Sequence, residues 1–319
     1  MSGKALFLDT LAQLRNCEGS PTVNNKEKSK LTPLQKRARS KFATQPLAIQ
    51  LAELRTPLEN SYRNTFYCAD AVVRYGSKVK TRYCGNRWCL TCNRIRTGKL
   101  INGYEATLKA LPDLQFVSLT APNVEGVGLP DEINRMLKVS RQVQDILRKR
   151  GTLLVGIRKL EVTYNAELNT YHPHFHFLIS GKQNATALLD EWMKRNPTAK
   201  RWCQDITPAD NNTVHELFKY FTKLTADSGK VNPQALDTIF RAMVGKRVFQ
   251  PCGNLHKVQE VSEEIENLRA NHYEELSPVE NGYYEWSGED WYNLETGEAL
   301  TNYEPSEAII SYIKRIGVT

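Results

Sequence analysis

The sequence predicts an α+β fold in which an antiparallel sheet is covered by helices and preceded by a small cysteine-bearing module. Three features predict it. Two adjacent segments, LLVGIRKLEVTYN and YHPHFHFLIS, alternate at the period of a strand and are joined by the turn residues Asn165 to Asn169. Segments of helical spacing lie on both sides of this hairpin. Upstream, Cys84, Cys89 and Cys92 stand at the spacing C-x4-C-x2-C. A chain of 319 residues, 40% of them hydrophobic, can bury a core and usually forms two or three structural units.

In chain order, residues 1–60 read as a basic, partly flexible region, and the Ser, Thr, Asn and Lys content of Asn24 to Lys41 suggests a linker or a DNA-contacting arm. Residues 61–110 hold the cysteine module, with AVVRYGSKVKTRYC as a hairpin around a Gly-Ser turn. Residues 111–260 carry the main domain. Its elements are a strand at 114–121, a helix from Asp131 as N-cap to Arg150, the hairpin described above, helices near 184–195 and 213–225, and a strand near 243–250. Residues 261–319 form an acidic, aromatic tail in which Tyr283, Tyr284, Trp286, Trp291 and Tyr292 suggest a small hairpin packed on the main domain.

Charge is uneven along the chain. The net charge is +8, yet residues 260–319 hold 14 acidic and 3 basic residues, which leaves the preceding part at +19. A basic body of that size attracts polyanions by Coulomb attraction and counterion release, and nucleic acid is the first partner to consider. There is no run of about 18 apolar residues, and the first residues lack the order of a secretory signal. A cytoplasmic protein with no membrane partner is expected.

On the strand YHPHFHFLI, His172, His174 and His176 face one way while Phe175, Phe177 and Ile179 face the other. Glu161, on the preceding strand, shares the histidine face and comes opposite His174 or within one pleat of it. Two imidazoles and a carboxylate suit a divalent cation with open positions, which can polarise a phosphate. Glu161 and His172 compete for the place of third ligand.

In TVHELFKYFTKLT, Val214, Leu217, Phe218 and Phe221 make a buried helical stripe. Glu216 and Tyr220 stand four apart on one face, with Lys223 a turn beyond. A tyrosine hydroxyl can attack phosphorus, a lysine can stabilise the developing charge, and a carboxylate can activate water. In the cysteine module, Cys68 lies close enough through the hairpin to complete a tetrahedral zinc site with Cys84, Cys89 and Cys92. Cys203 or Cys252 could take the place of Cys68, and Cys17 reads as an unpaired thiol. Lys78, Lys80, Arg82, Arg87, Arg94, Arg96 and Lys99 around the cluster would ease thiolate formation and could touch DNA backbone.

Three blocks in order, FVSLTAPN (116–123), HPHFHFLI (172–179) and HELFKYFTK (215–223), resemble the HUH endonucleases, and among them the single-tyrosine plasmid replication initiators of the Rep class. GKRVFQPCGN (245–254) resembles the closing strand of these domains, and the likeness covers roughly residues 65–260. The resemblance implies an HUH-type domain with a five-stranded antiparallel, ferredoxin- or RRM-like sheet flanked by helices, and a similar cysteine cluster before it. It implies magnesium or manganese at His174, His176 and Glu161 or His172, with Tyr220 as nucleophile on single-stranded or hairpin origin DNA. The product would be a 5′-phosphotyrosine and a free 3′-OH for a host polymerase, with a host helicase as a further partner, and Glu216 would activate the terminating water. An HUH transposase or relaxase shares this chemistry, and a non-catalytic zinc-stabilised DNA-binding protein would need Tyr220 and the histidines to be incidental.

Overall fold

The computed structural model describes residues 31–75, 78–218, 232–255 and 282–305. The chain divides into two compact units. Among the described residues, the first contains 31–75, 78–96, 232–234 and 282–305, and the second contains 97–218 and 235–255.

In the first unit, helix α1 spans Pro33–Glu53. The stretch expected to be an arm is therefore helical from Pro33 onward. Its start is a capping box: Gln35 N–H donates to Thr32 Oγ1 (3.2 Å) and Thr32 N–H to Gln35 Oε1 (2.9 Å), with Pro33 in the first helical position. Ala38, Phe42, Leu47, Ala48 and Leu51 are buried along it. Lys41, which composition assigned to the arm, is also buried, and its Nζ donates to Cys68 O (2.9 Å) and to Asp70 Oδ1 (2.5 Å).

Helix α2 (Glu59–Phe66) leads into strands β1 (Ala71–Tyr75) and β2 (Lys78–Thr81), the expected hairpin. The tail hairpin is formed by β8 (Tyr283–Trp286) and β9 (Trp291–Asn293). It joins this unit rather than the main domain, because β8 pairs antiparallel with β1 in a sheet ordered β2-β1-β8-β9. Trp291 anchors it: the ring is buried and its Nε1–H donates to Ala69 O (2.6 Å). The buried Asp290 carboxylate accepts from Thr301 N–H (3.0 Å), Thr301 Oγ1 (2.8 Å) and Tyr303 N–H (3.2 Å), which satisfies a charge that burial alone would penalise.

Helix α3 (Leu90–Lys109) begins in the first unit and continues in the second. The second unit holds the expected five-stranded sheet, antiparallel throughout, in the order β6-β3-β5-β4-β7. The strands are β3 (Leu114–Thr120), β4 (Gly156–Asn165), β5 (Thr170–Ser180), β6 (Asp205–Pro208) and β7 (Phe249–Cys252). Helices α4 (Leu129–Lys149) and α5 (Lys182–Arg195) cover the face that carries Phe175, and the Trp192 ring centre lies 5.7 Å from that of Phe175. Helix α4 begins two residues before Asp131, with Gly128 as N-cap, so Asp131 lies in the first turn, where its charge favours the helix dipole. Helix α7 (Pro233–Ala242) precedes β7, and Met243 N–H still donates to Ile239 O (3.0 Å). The last strand therefore starts later than residue 243.

Gly156 opens β4 directly beside β5. A Cβ there would lie 1.8 Å from Leu178 O, so no side chain fits without parting the strands. Gly156→Ala is expected to cost about 2–4 kcal/mol in urea unfolding. An unchanged midpoint would mean that the strands part freely at this point.

Candidate functional site

The β4–β5 hairpin builds the site. Its turn is closed by Asn165, whose Oδ1 accepts from Glu167 N–H (2.9 Å) and Leu168 N–H (3.0 Å). Asn169 takes the left-handed conformation (φ 50°), which asparagine tolerates better than most residues. The resulting register sets Glu161 opposite His174 and Lys159 opposite His176. Glu161, His174 and His176 each turn one ligand atom toward a common point, all within 4.8 Å of one another. Glu161 Oε2 lies 3.5 Å from His176 Nε2 and 3.9 Å from His174 Nε2.

Hydrogen bonds decide which nitrogen each imidazole offers. His174 Nδ1 faces the carbonyl oxygen of His172 at 3.0 Å, and since a carbonyl can only accept, Nδ1 carries the proton. Its Nε2 lone pair is thereby aimed at the site. His176 Nδ1 meets Ser118 Oγ at 3.1 Å, and Phe116 stacks on the same ring at 5.0 Å between centres. Such outer contacts orient metal-ligating histidines. Burial, and then the charge of His176, push the His174 pKa down to about 3, so this ring is neutral in ordinary buffers. Burial acts to raise the Glu161 carboxyl, but the hydrogen bond with His176 and the charge of Lys159 outweigh it and hold the group well below the usual carboxylate range. A neutral imidazole, a second imidazole and an ionised carboxylate fit a divalent cation.

His172 stands apart from this group. Its ring stacks on His174 (5.2 Å between centres) while its Nδ1 donates to Asn123 Oδ1 at 2.8 Å. Lys159 is a site residue that the sequence reading passed over. Its side chain is 6% exposed, and its Nζ lies 3.0 Å from Glu161 Oε2. The strand alternation that placed Glu161 on this face places Lys159 there too.

In the first unit, Cys68, Cys84, Cys89 and Cys92 bring their sulfurs within 4.8 Å of one another. Cys92 Sγ lies 3.6 Å from both Cys68 Sγ and Cys84 Sγ, close to the edge of about 3.8 Å expected for a tetrahedron with zinc–sulfur bonds of typical length. Backbone amides of Cys84, Asn86 and Cys92 point at Cys68, Cys84 and Cys89 sulfurs, respectively, at 3.3, 3.4 and 3.4 Å. The Cys84 thiol is held far below its ordinary range by hydrogen bonds from the other three sulfurs, while burial pushes Cys89 up. Four thiols this close cannot all ionise unless a cation joins them, and the donor set fits zinc. Cys203 is exposed on a short 3₁₀ turn and Cys252 is buried on β7, and neither is in the group. Arg96, expected among the DNA-facing cations, is buried. It donates to Gly85 O, Asn86 O and Asn93 Oδ1 and so braces the cysteine loop.

Helix α6 (Asn211–Phe218) starts on Asp210, whose Oδ1 accepts from Thr213 N–H at 2.7 Å. Val214, Leu217 and Phe218 are buried as expected, and Phe218 stacks on Tyr104 (5.9 Å between centres). Glu216 belongs to this helix, whereas Tyr220, Phe221 and Lys223 lie outside the described residues. No helix among the described residues is long and apolar enough to cross a membrane.

The fold and its clusters define an α+β protein with a Glu–His–His group on an antiparallel sheet and a four-cysteine group in a separate unit. A family model described as a replication protein matches residues 76–204. A Staphylococcus aureus protein called Protein rep is 34% identical over 182 residues, which are 50% of this chain and 79% of that protein. Another Protein rep, from Streptococcus pneumoniae serotype 2, is 27% identical over 179 residues (51% of this chain, 55% of the relative). A third, from Bacillus amyloliquefaciens, is 39% identical over 69 residues, covering 22% of this chain and 20% of its own length. No solved structure matches the chain. The chain belongs to the Rep family of plasmid replication initiators.

Two predictions come from the Glu–His–His group. His174 has a folded pKa of about 3 against an ordinary 6.5, so as pH falls through that window the unfolded chain takes the proton first. The stability that neutral His174 contributes is complete above 6.5 and is lost toward 3, and the depressed Glu161 carboxyl acts in the same direction below its ordinary 4.5. The urea midpoint of metal-free protein should fall as pH is lowered from 6.5, and His174→Gln should flatten the upper part of that slope. A wild-type midpoint level down to about pH 4 contradicts this. Separately, Lys159→Met strips a buried carboxylate of its ion-pair partner and should cost about 3–5 kcal/mol in the metal-free protein; unfolding free energies within error of wild type would dismiss the ion pair as a structural element.

Proposed function

We propose that this chain initiates rolling-circle replication by nicking one strand of its origin DNA and joining itself to the cut end through Tyr220. The observation that carries this reading is the Glu161–His174–His176 group on one sheet face. The five-stranded sheet, in the order β6-β3-β5-β4-β7, supports the HUH-type domain that the sequence blocks imply. Magnesium or manganese held by these three residues would polarise the scissile phosphate and offset the charge that develops on its oxygens. Glu161 is the preferred third ligand over His172, whose ring is engaged with Asn123.

Tyr220 attacks the phosphorus of an unpaired origin nucleotide. A bond forms between its phenolic oxygen and phosphorus while the bond from phosphorus to the 3′ oxygen breaks. The phenol gives up its proton as it attacks and the departing oxygen takes one up to become a 3′-OH, so protons balance, and the 5′-phosphate stays esterified to Tyr220. Lys223, three residues on in the sequence, stabilises the negative charge of the transition state. Glu216, four residues before Tyr220 in the sequence, takes a proton from the water that ends the cycle. Cys68, Cys84, Cys89 and Cys92 hold a structural zinc. Host polymerase extends the 3′-OH in the cytoplasm, with a host helicase opening the duplex ahead.

The test is to incubate the protein and its Tyr220→Phe variant with manganese and labelled single-stranded oligonucleotides from its replicon, then separate products under denaturing conditions. A covalent adduct with wild type and none with the variant is expected. An adduct that survives the substitution assigns the nucleophile to another residue, and no adduct at all favours a DNA-binding protein without catalysis. For the cysteine group, elemental analysis should find stoichiometric zinc that Cys89→Ser abolishes; retention of zinc by that variant would remove Cys89 from the ligand set.

A further inference from the structure

We infer that Trp202 and the turn that carries it form a stacking platform for an unpaired nucleotide, beside the metal-site face of the sheet. The inference rests on the nicking reading and adds the residue that seats the strand. Trp202 is 81% exposed, whereas Trp192 and Trp291 are buried in their cores. A ring of this size left in water is open to a planar ligand. Its neighbours Lys200, Arg201 and Cys203 are exposed as well, and Lys200 Nζ lies 5.7 Å from the centre of the indole. A flat aromatic surface flanked by two cations matches a strand that presents planar bases along a polyanionic backbone.

The platform is rigid. Trp202 lies in the 3₁₀ turn Arg201–Cys203, closed by Cys203 N–H to Lys200 O (3.1 Å) and Gln204 N–H to Arg201 O (3.1 Å). The buried Gln204 side chain fastens it: Nε2 donates to Lys200 O (2.9 Å) and to Thr120 Oγ1 (2.8 Å), while Oε1 accepts from Thr120 N–H (2.7 Å). Thr120 Oγ1 in turn donates to Cys203 O at 3.3 Å. The backbone that carries the ring is thus fixed in advance, and little backbone entropy is lost when a base lands on it.

Its location ties it to the site. Thr120 pairs with His174 across β3 and β5, and Asp205, which follows the turn, pairs with Ser118, whose hydroxyl meets His176. Ser118 and Thr120 are two apart on one strand, so both side chains stand on the histidine face, and the turn is fastened to that face through Thr120. Two strand spacings, roughly 10 Å, separate β6 from the histidine strand. A DNA strand whose scissile phosphate lies at Glu161, His174 and His176 therefore passes Trp202 within a few nucleotides. Phe116, half-buried on the same strand and face, lies against His176 and continues the aromatic surface.

The experiment measures binding without cleavage. Full-length wild type, Trp202→Ala and Trp202→Phe are titrated without added magnesium or manganese into a fluorescein-labelled oligothymidylate of about 12 nucleotides at several salt concentrations. Trp202→Ala should bind about 5- to 100-fold more weakly with an unchanged salt slope, and Trp202→Phe should recover most of the loss. Lys200→Gln with Arg201→Gln should instead flatten the salt slope. Tryptophan emission should be quenched by the oligonucleotide in wild type, and most of that quenching should disappear in Trp202→Phe. Equal affinity of wild type and Trp202→Ala overturns the platform while leaving the covalent adduct of wild type intact. A wild type that neither binds the oligonucleotide nor forms an adduct overturns the nicking reading and the platform with it.

Discussion

Everything proposed for the second unit depends on the register of one hairpin. Because strand side chains alternate, a slip of one residue between β4 and β5 would move His174 and His176 relative to Glu161 by one pleat and set the carboxylate against the phenylalanine face. Two features prevent this. Asn165 and Asn169 shape one end of the hairpin, and at the other end Gly156 permits a backbone approach that no residue with a Cβ could make. Phe175 and Phe177, buried under α4 and α5, then hold the strand with its histidines on the opposite face.

That orientation concentrates charge where burial would ordinarily forbid it. Glu161 is largely enclosed, and Lys159 and His176 are its closest partners. His174 is kept neutral and turned so that its free nitrogen faces the carboxylate. Lys159 therefore supplies positive charge beside a carboxylate that a divalent cation would also seek, which moderates the cation's affinity through repulsion at short range. The cysteine group follows the same logic with softer atoms: sulfurs brought together by α2, the β1–β2 hairpin and the start of α3 form a negative centre that a zinc ion would complete.

The hairpin, the histidine face and the place of Glu161 were legible because each is local: alternation and a turn signal within a short stretch suffice. The cysteine spacing was legible for the same reason, and Cys68 came within reach through a hairpin also readable from its turn. What escaped depended on distant partners or on overruled composition. The polar content of Asn24 to Lys41 outweighed a capping box at Thr32 and Gln35, and the buried side of α1 mixes alanines with Ser40, Lys41 and Thr44 among few large apolar residues, which carries little hydrophobic signal. The tail hairpin was recognised, but its partner strand β1 lies far away in sequence, so the pairing that assigns it to the first unit left no local trace. Lys159 lay in plain view on the right face, yet a lysine is ordinarily solvated, and only its burial shows that it belongs to the site.

The most direct test of the central claim, that Glu161, His174 and His176 hold the catalytic cation, is anomalous diffraction at the manganese edge from crystals of the protein grown with manganese. The account predicts an anomalous peak bonded to Nε2 of both His174 and His176 and to a Glu161 oxygen, with the remaining positions open. A peak on His172 in place of Glu161, or a cation bound elsewhere while this group stays empty, would contradict it.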